Sequence, residues 1–468
     1  MTCKLPTVID AAVAAGHPAT TAAGIEILAD GGNAADAAVA ALLASCVAET
    51  VMTGLLGGGH AIYFDADSGQ VRNLDCFVAV PGLGAEPGDV ELLHLEVPFG
   101  AEVVDYAIGP ASCGVPGLPA GLTALWEAHG TLPWPRVVEP ALRLAESGVD
   151  FPPAHAACLA MLAPVMTMNE GAAIYAPGGE LLRAGERLEQ PGLARALAAL
   201  AEDPNSVYRG SIGAVLLALC GERGGLVTEA DLASYTPLWS EPVEVRYLDV
   251  RLLTRGGLSG VPETVPRLPR LAGLDETERV LALVDVLEAP SAGGGDTTNL
   301  TVVDAHGNAC VFTSSLGLGS GDFLPGLDLH LNSMLGEADL LRGRLEPGTR
   351  MQSMMAPTLA FDGDGLALAA GAAGGTRLRT ALLSVLAGIL DEELAPQDAV
   401  ARPRFHPAPE VVNAEPGVDE GALGALEAWG RTVRRWPSPH HYFGGVSLVG
   451  RSGAAADLRR NGAAVALR

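Results

Sequence analysis

Positive charge is scarce in this chain: Lys plus Arg number 29 against 55 Asp plus Glu, a formal net charge of −26, and lysine is almost absent. Such a surface repels nucleic acid and anionic lipid, so neither is an expected partner. Aromatic residues make up only 4% of the sequence, and charges, Gly or Pro interrupt every long apolar stretch before a bilayer-spanning length of about 18 residues, so no membrane span is expected despite 49% hydrophobic residues. The seven cysteines, Cys3, Cys46, Cys76, Cys113, Cys158, Cys220 and Cys310, include no C-x-x-C pair. A dispersed, odd set of this kind reads as reduced packing cysteine. No internal repeat, low-complexity tail or linker-like segment interrupts the 468 residues. Only Lys4 precedes the Thr7 to Ala15 stretch, and Asp10 breaks it, which gives the expectation of a cytoplasmic chain without a removable leader.

What is present begins with helices. Residues 24 to 30 and 34 to 47 carry small and apolar residues at helical spacing, with Asn33 as N-cap and Asp36 three positions on. Ala61 to Phe64 and Val71 to Leu74 read as a hairpin around Asp65-Ala66-Asp67-Ser68-Gly69. Residues 118 to 148 and 191 to 222 are Ala/Leu-rich helices, and Thr228-Glu229-Ala230-Asp231 is a capping box. The first half is expected to be mainly helical. From Thr297 the pattern turns to alternation: strands are expected at Leu300 to Asp304, Ala309 to Thr313, Leu327 to Asn332, Thr358 to Phe361 and Leu366 to Ala370, with a helix near Arg379 to Leu390. Tight turns such as Asp304-Ala305-His306-Gly307-Asn308 make the core antiparallel.

The most informative stretch is Gly293-Gly294-Gly295-Asp296-Thr297-Thr298-Asn299-Leu300, a glycine run meeting a Thr pair that opens an apolar strand. On its own it describes a loop entering a buried strand. It also fits a different chemistry. A threonine hydroxyl is a poor nucleophile until a base takes its proton, and the residue's own α-amino group, titrating near ~7.7, is such a base once the chain is cut before it.

The surroundings favour the second reading. Gly31-Gly32-Asn33-Ala34-Ala35-Asp36, Gly57-Gly58-Gly59, Val115-Pro116-Gly117, Leu132-Pro133-Trp134, Gly225-Leu226-Val227-Thr228, the Thr297 strand, Gly374-Gly375-Thr376-Arg377 and Pro403-Arg404-Phe405-His406 follow one another in an order that resembles the γ-glutamyltransferase family, from about residue 8 to the C-terminus. The resemblance implies an α+β fold, the four-layer αββα sandwich of N-terminal nucleophile hydrolases. It implies self-cleavage between Asp296 and Thr297 into portions 1–296 and 297–468 that stay together as one globular domain. It implies no cofactor and no metal, a small-molecule acyl donor, and water or an amine as acceptor. Between Tyr247 and Thr297 relatives carry a longer helical insertion, whereas here only Arg267 to Glu288 can supply a helix.

Carried over residue by residue, the resemblance makes Thr297 the nucleophile, Ser315 the hydroxyl beside it, and Gly374 and Gly375 the oxyanion hole, for which glycine suits because nothing blocks the tetrahedral intermediate. Substrate-binding positions would be Phe77, Thr298, Asn299, Gly317, Met334, Glu337, Ser353 and Met354. Several depart from the family pattern. Phe77 stands where an Arg grips the donor's α-carboxylate, Asn299 where a His is usual, Gly317 for an Asn, Met334 for a Gln or Glu, and Met354 for the second of two Ser, of which Ser353 keeps the first. Glu337 falls where an Asp binds the α-amino group. These changes imply a donor other than an ordinary γ-glutamyl compound. Alternatives within the fold are a hydrolase of small oxo-amides and a C–C bond hydrolase of natural-product pathways such as 4-alkyl-proline formation. An alternative outside enzymes is an uncleaved binding homologue, against which the retained Thr297, Ser315, Gly374 and Gly375 argue. His440-His441 lack a third ligand at metal-binding spacing, Gly317-Leu318-Gly319-Ser320-Gly321 lacks the helix and acidic residue of a nucleotide loop, and His17, His60 and His406 are expected to be packed or exposed.

Overall fold

The computed structural model describes residues 10–86, 90–99, 102–288, 297–343, 345–408 and 410–467. Asp296 and the glycines before it lie outside the described residues. Helix α1 spans Pro18–Ala29 and α2 spans Ala34–Ala48. Asn33 starts α2 as a reciprocal capping box: its Oδ1 accepts from the amides of Ala35 at 2.9 Å and Asp36 at 3.0 Å, and Asp36 returns a carboxylate oxygen to Asn33 N at 3.1 Å. Asp36 also accepts from the Thr131 hydroxyl at 2.7 Å, so the cap ties α2 to a distant loop. Every residue of α2 is buried. A helix without a polar face belongs at the centre of a layer, and its alanines let neighbours approach closely.

Two antiparallel sheets form the middle of the molecule. Numbered in chain order, their strands are β1 Ala12–Ala15, β2 Gly58–Asp65, β3 Gln70–Cys76, β4 Leu238–Ser240, β5 Val243–Tyr247, β6 Val250–Thr254, β7 Thr298–Val303, β8 Ala309–Ser315, β9 Thr358–Asp362, β10 Gly365–Ala373, β11 Gly445–Gly450, β12 Gly453–Ala456 and β13 Ala463–Ala466. The first sheet has seven strands in the order β13-β1-β7-β8-β2-β3-β4, and the second has six in the order β12-β11-β10-β9-β6-β5. Strand β7 therefore sits near the centre of the first sheet, pairing Leu300 with Ala15 on one side and Thr298 with Ser314 on the other. The segment that follows Thr297 is thus held on both edges by ladder hydrogen bonds.

The alternation of β1, β2, β7 and β8 divides their side chains between two cores. Ala12, Ala14, Ile62, Val303, Val311, Leu359, Ala369 and Val449 fill the space between the sheets. Val13, Leu300, Val302 and Phe312 point the other way, against α1, α2 and the helices Leu118–His129, Trp134–Ser147 and Pro191–Glu202. Outside the second sheet, helices Glu276–Leu287 and Leu378–Leu390 bury Leu283, Val284, Leu382 and Leu386 against Leu252, Ala370 and Leu448. Helix, sheet, sheet, helix is the expected αββα order, and Glu276–Leu287 is the main helix of the shortened stretch before Thr297.

Some elements differ from the sequence expectation. The strand expected over Leu327 to Asn332 shrinks to Leu329–His330, paired with Phe323–Leu324. Beyond His330 the backbone takes other partners: Leu331 N donates to Asp322 O at 2.9 Å and Ser333 N to Leu316 O at 3.1 Å, while the Asn332 side chain donates to Leu56 O and Gly114 O, both at 2.9 Å. The helical first half also supplies six of the thirteen sheet strands. A helix, Pro153–Met166, and a two-stranded ribbon, Leu93–Phe99 with Glu102–Ile108, lie where no element was expected. Among the described residues no helix is long and apolar enough to cross a membrane. The six described cysteines are buried and free.

Candidate active site

Thr297 immediately precedes β7 and is 5% exposed. Because Thr298 pairs with Ser314, the antiparallel register sets Ser315 opposite Thr297 at the end of β8. Thr297 and Ser315 line one pocket together with Phe77, Met334, Glu337, Leu340, Ser353, Met354, Met355, Gly375 and Leu378. Seven of the residues expected at the site from sequence, besides Thr297 itself, are thereby brought together from five separate segments.

Phe77 follows β3 and is 1% exposed. Its backbone is fixed by three contacts: its amide donates to Asp75 at 3.0 Å, and its carbonyl accepts from the Tyr235 hydroxyl at 2.6 Å and from Arg350 Nη1 at 2.8 Å. Its ring stacks on His60 at 5.6 Å. His60 is buried, and burial with the positive fields of Arg255 and Arg350 holds its imidazole neutral, well below the usual histidine range. The pocket wall is therefore apolar, with Phe77, Met334, Met354 and Met355 forming a polarisable surface. Among the described residues its lining contains one ionisable side chain, Glu337, which is 9% exposed. Arg255 comes near the wall but donates Nη1 to the carbonyls of Ser353 at 3.0 Å and Gly256 at 3.3 Å.

Gly374 and Gly375 close strand β10 and lead through a single turn, Gly375–Arg377, into helix Leu378–Leu390. Gly374 has φ +125° and ψ 36°, and a Cβ there would sit 2.8 Å from Gly444 Cα. Only glycine fits this bend, which sets the turn's amides at a helix start, where N–H groups face outward. Gly375 borders the Thr297 pocket, whereas Gly374 packs against Gly444. Gly317, with φ +70°, lies behind the pocket, where a Cβ would meet Glu337 Oε1 and Ser333 Oγ at 2.7 Å.

Thr298 and Asn299 face away from this pocket. They line a second cavity on the other side of Thr297, with Gly16, Glu49, Met52, His155, Ser447, Asp457 and Arg460. Thr298 donates its hydroxyl to Glu49, and Asn299 Nδ2 donates to Thr313 Oγ1 at 2.8 Å and Phe312 O at 3.1 Å. Arg460 Nη1 donates to the carbonyl of Thr297 at 2.9 Å.

The other flagged histidines are structural. His17 Nδ1 accepts from Ala19 N at 3.0 Å at the start of α1, and burial pushes its pKa down to about 4. His406 is buried beside the Thr380 hydroxyl and pushed down to about 3. His440 Nδ1 accepts from Tyr442 N at 3.1 Å, and among the described residues no cluster of three or more His, Cys, Asp or Glu could hold a metal.

Residues 20–262 and 275–467 match the Gamma-glutamyltranspeptidase family. The chain belongs to this family. Like its members, it is a self-processing N-terminal nucleophile hydrolase or transferase. It is 30% identical to the Acylase ACY 1 proenzyme of Pseudomonas sp. (strain SE83), covering 97% of this chain and 93% of that protein. It is 25% identical to the Glutathione hydrolase proenzyme of Bacillus subtilis (strain 168), covering 98% and 92% respectively. The fold is that of cephalosporin acylase from Bacillus halodurans, with a TM-score of 0.81 over 98% of this chain and 96% of that one at 23% identity. Within this family member, sequence reasoning missed Glu49 and Arg460. Neither was marked by a local pattern, because their partners lie far away in the sequence.

Proposed function

We propose that Thr297 is the nucleophile of an acyl-transfer enzyme whose donor carries an apolar or planar acyl body rather than a γ-glutamyl group. One observation carries this reading: Thr297, Ser315 and Gly375 share a pocket walled by Phe77, Met334, Met354 and Met355, with no arginine among the described residues of its lining. A γ-glutamyl donor would bury its α-carboxylate there without a cation. Removing one member of a desolvated charge pair costs about 3 to 5 kcal/mol.

In the precursor, Thr297 Oγ1 attacks the carbonyl of Asp296, and the peptide C–N bond gives way to an ester. Water then cleaves that ester, leaving a carboxyl on Asp296 and a free α-amine on Thr297. In turnover this amine takes the Oγ1 proton as the oxygen adds to the donor carbonyl. The oxyanion develops toward the Gly374-Gly375 turn, with the Ser315 hydroxyl beside the nucleophile. Collapse expels the amine, which takes up the proton, and the acyl-Thr297 ester passes to water or a second amine. A ketone donor would form the same adduct but expel carbon, so C–C cleavage is open to the same residues. The likeness to the acylase proenzyme supports the amide reading.

Intact-mass measurement should find two associated chains, the second beginning at Thr297, while Thr297→Ala remains one chain. Steady-state assays should give a kcat/KM for γ-glutamyl anilide at least about 10²-fold below that for an anilide with an apolar acyl group. An active protein that is never cut, or γ-glutamyl turnover at about 10⁴ M⁻¹s⁻¹ or more, overturns the reading.

A further inference from the structure

Beside Thr297 the second cavity is a small chamber with Gly16, Glu49, Met52, His155, Thr298 and Arg460 on its walls. Glu49 follows α2 directly and is 1% exposed. Its two oxygens are held separately: Oε1 accepts from the Thr20 hydroxyl at 2.6 Å, and Oε2 accepts from the Thr298 hydroxyl. Gly16 makes room for this arrangement, since a Cβ there would collide with Oε2 and come 2.9 Å from Thr298 Oγ1. From the opposite wall Arg460 grips the Thr297 carbonyl. The residue that is to carry the free amine is thus held at its carbonyl by a cation and followed by a hydroxyl tied to a carboxyl.

We propose that Glu49 is a positioning residue for the Thr297 α-amine: its carboxyl, fixed by Thr20 and Thr298 in the chamber that Thr297 also lines, sets how readily that amine releases its proton. This rests on the reading of Thr297 as the N-terminal nucleophile. A carboxylate beside an amine favours the ammonium form, which is no base, and a neutral carboxyl does not. The other titratable groups that line the chamber, His155 and Asp457, and those on the elements packed around it, His17, His441 and Cys46, are fixed in charge near neutrality. Burial keeps His17, ahead of α1, neutral down to about 4, and His155, on helix Pro153–Met166, neutral down to about 3. His441 is held neutral in the same way, and Cys46 on α2 is kept a thiol. Asp457 is ionised and paired with Arg404 at 2.5 Å and Arg459 at 3.2 Å. Burial raises the Glu49 carboxyl to about 7, against the lowering effect of the Thr20 and Thr298 hydroxyls and Arg460. An α-amine titrates near ~7.7, so the two groups would exchange charge as a pair over the same pH range.

The test labels the Thr297 α-amine of the mature wild-type protein with an acylating reagent from about pH 5 to about pH 10 and reads the segment beginning at Thr297 by mass. The expected profile has two steps. In Glu49→Gln it collapses to one step with a midpoint lower by about one pH unit, and the acid limb of kcat/KM moves with it. Glu49→Asp should restore the two-step shape. A one-step profile in the wild type overturns the role of Glu49, and that measurement needs no variant to fold. A mature segment that starts elsewhere than Thr297 instead overturns the nucleophile assignment, so the two failures are distinct.

Discussion

At the residue scale, the proposed donor choice rests on Phe77 and Glu337. The Phe77 side chain is positioned by a backbone held at both its amide and its carbonyl, so an arginine placed there would enter the same pocket. Phe77→Arg should raise γ-glutamyl anilide turnover relative to the best apolar donor by about tenfold or more, because a guanidinium supplies the fork that a phenyl ring cannot. Competition assays with the two donors check this. Glu337→Gln should weaken donors bearing an amine by about tenfold and leave neutral donors within about threefold, as a KM effect, since charge rather than shape is removed. Much of this was legible in the sequence because motif order brought Thr297, Ser315 and Gly375 to attention. Glu49 was not, because its partners are Thr20, 29 positions away, and Thr298, 249 away, and no local pattern announces such pairings.

At the scale of elements, the turn between β10 and helix Leu378–Leu390 combines a backbone demand with the oxyanion role proposed for it. Gly374→Ala would need φ +125° from a residue with a Cβ and would drive that carbon against Gly444. The strained turn should shift the Gly375 amide, lowering kcat by about 10² with little change in KM, in line with loss of one oxyanion donor. Single-turnover kinetics isolate the acylation step. At the start of α2, Asn33→Ala should cost about 1 kcal/mol of stability in denaturant titration, the typical worth of an N-cap. The helix starts at Asn33 and Thr228 were readable because a capping box is a local signal, and both boxes are present. The strand expected to reach Asn332 failed for the opposite reason. Alternation within Leu327 to Asn332 is local, but the backbone partners of Leu331 and Ser333, which are Asp322 and Leu316, are set by how the loop folds back on itself. The αββα order itself was inferred from resemblance, since strand spacing alone does not say which sheet a strand joins.

At the scale of the whole molecule, buried neutral histidines govern the response to acid. Burial pushes His155, His330 and His406 down to about 3 and His17 to about 4. Unfolding frees each to bind a proton near 6.5, so the stability they contribute is present above that pH and is lost as the pH falls toward their folded values. Glu49 acts with the opposite sign, its raised pKa favouring the folded state at lower pH, but it is outnumbered by these four imidazoles together with His60 and His441. Thermal unfolding should therefore shift down by about 5 °C or more between about pH 7.5 and pH 5. A melting point unchanged over that range would mean these imidazoles are hydrated or protonated in the native protein.

The strand order of the first sheet places β13, then β1, then β7 and β8, then β2, β3 and β4, so portions from before and after Thr297 alternate across it. A cut before Thr297 leaves every one of those ladders intact but changes the return journey from the unfolded state. The uncut precursor regains its sheet by a first-order process, whereas the mature enzyme must find its other half in solution. Its recovery after denaturation then depends on protein concentration, and dilution makes the loss effectively permanent. Maturation would give this protein a history: once processed, its persistence is governed by how slowly it opens.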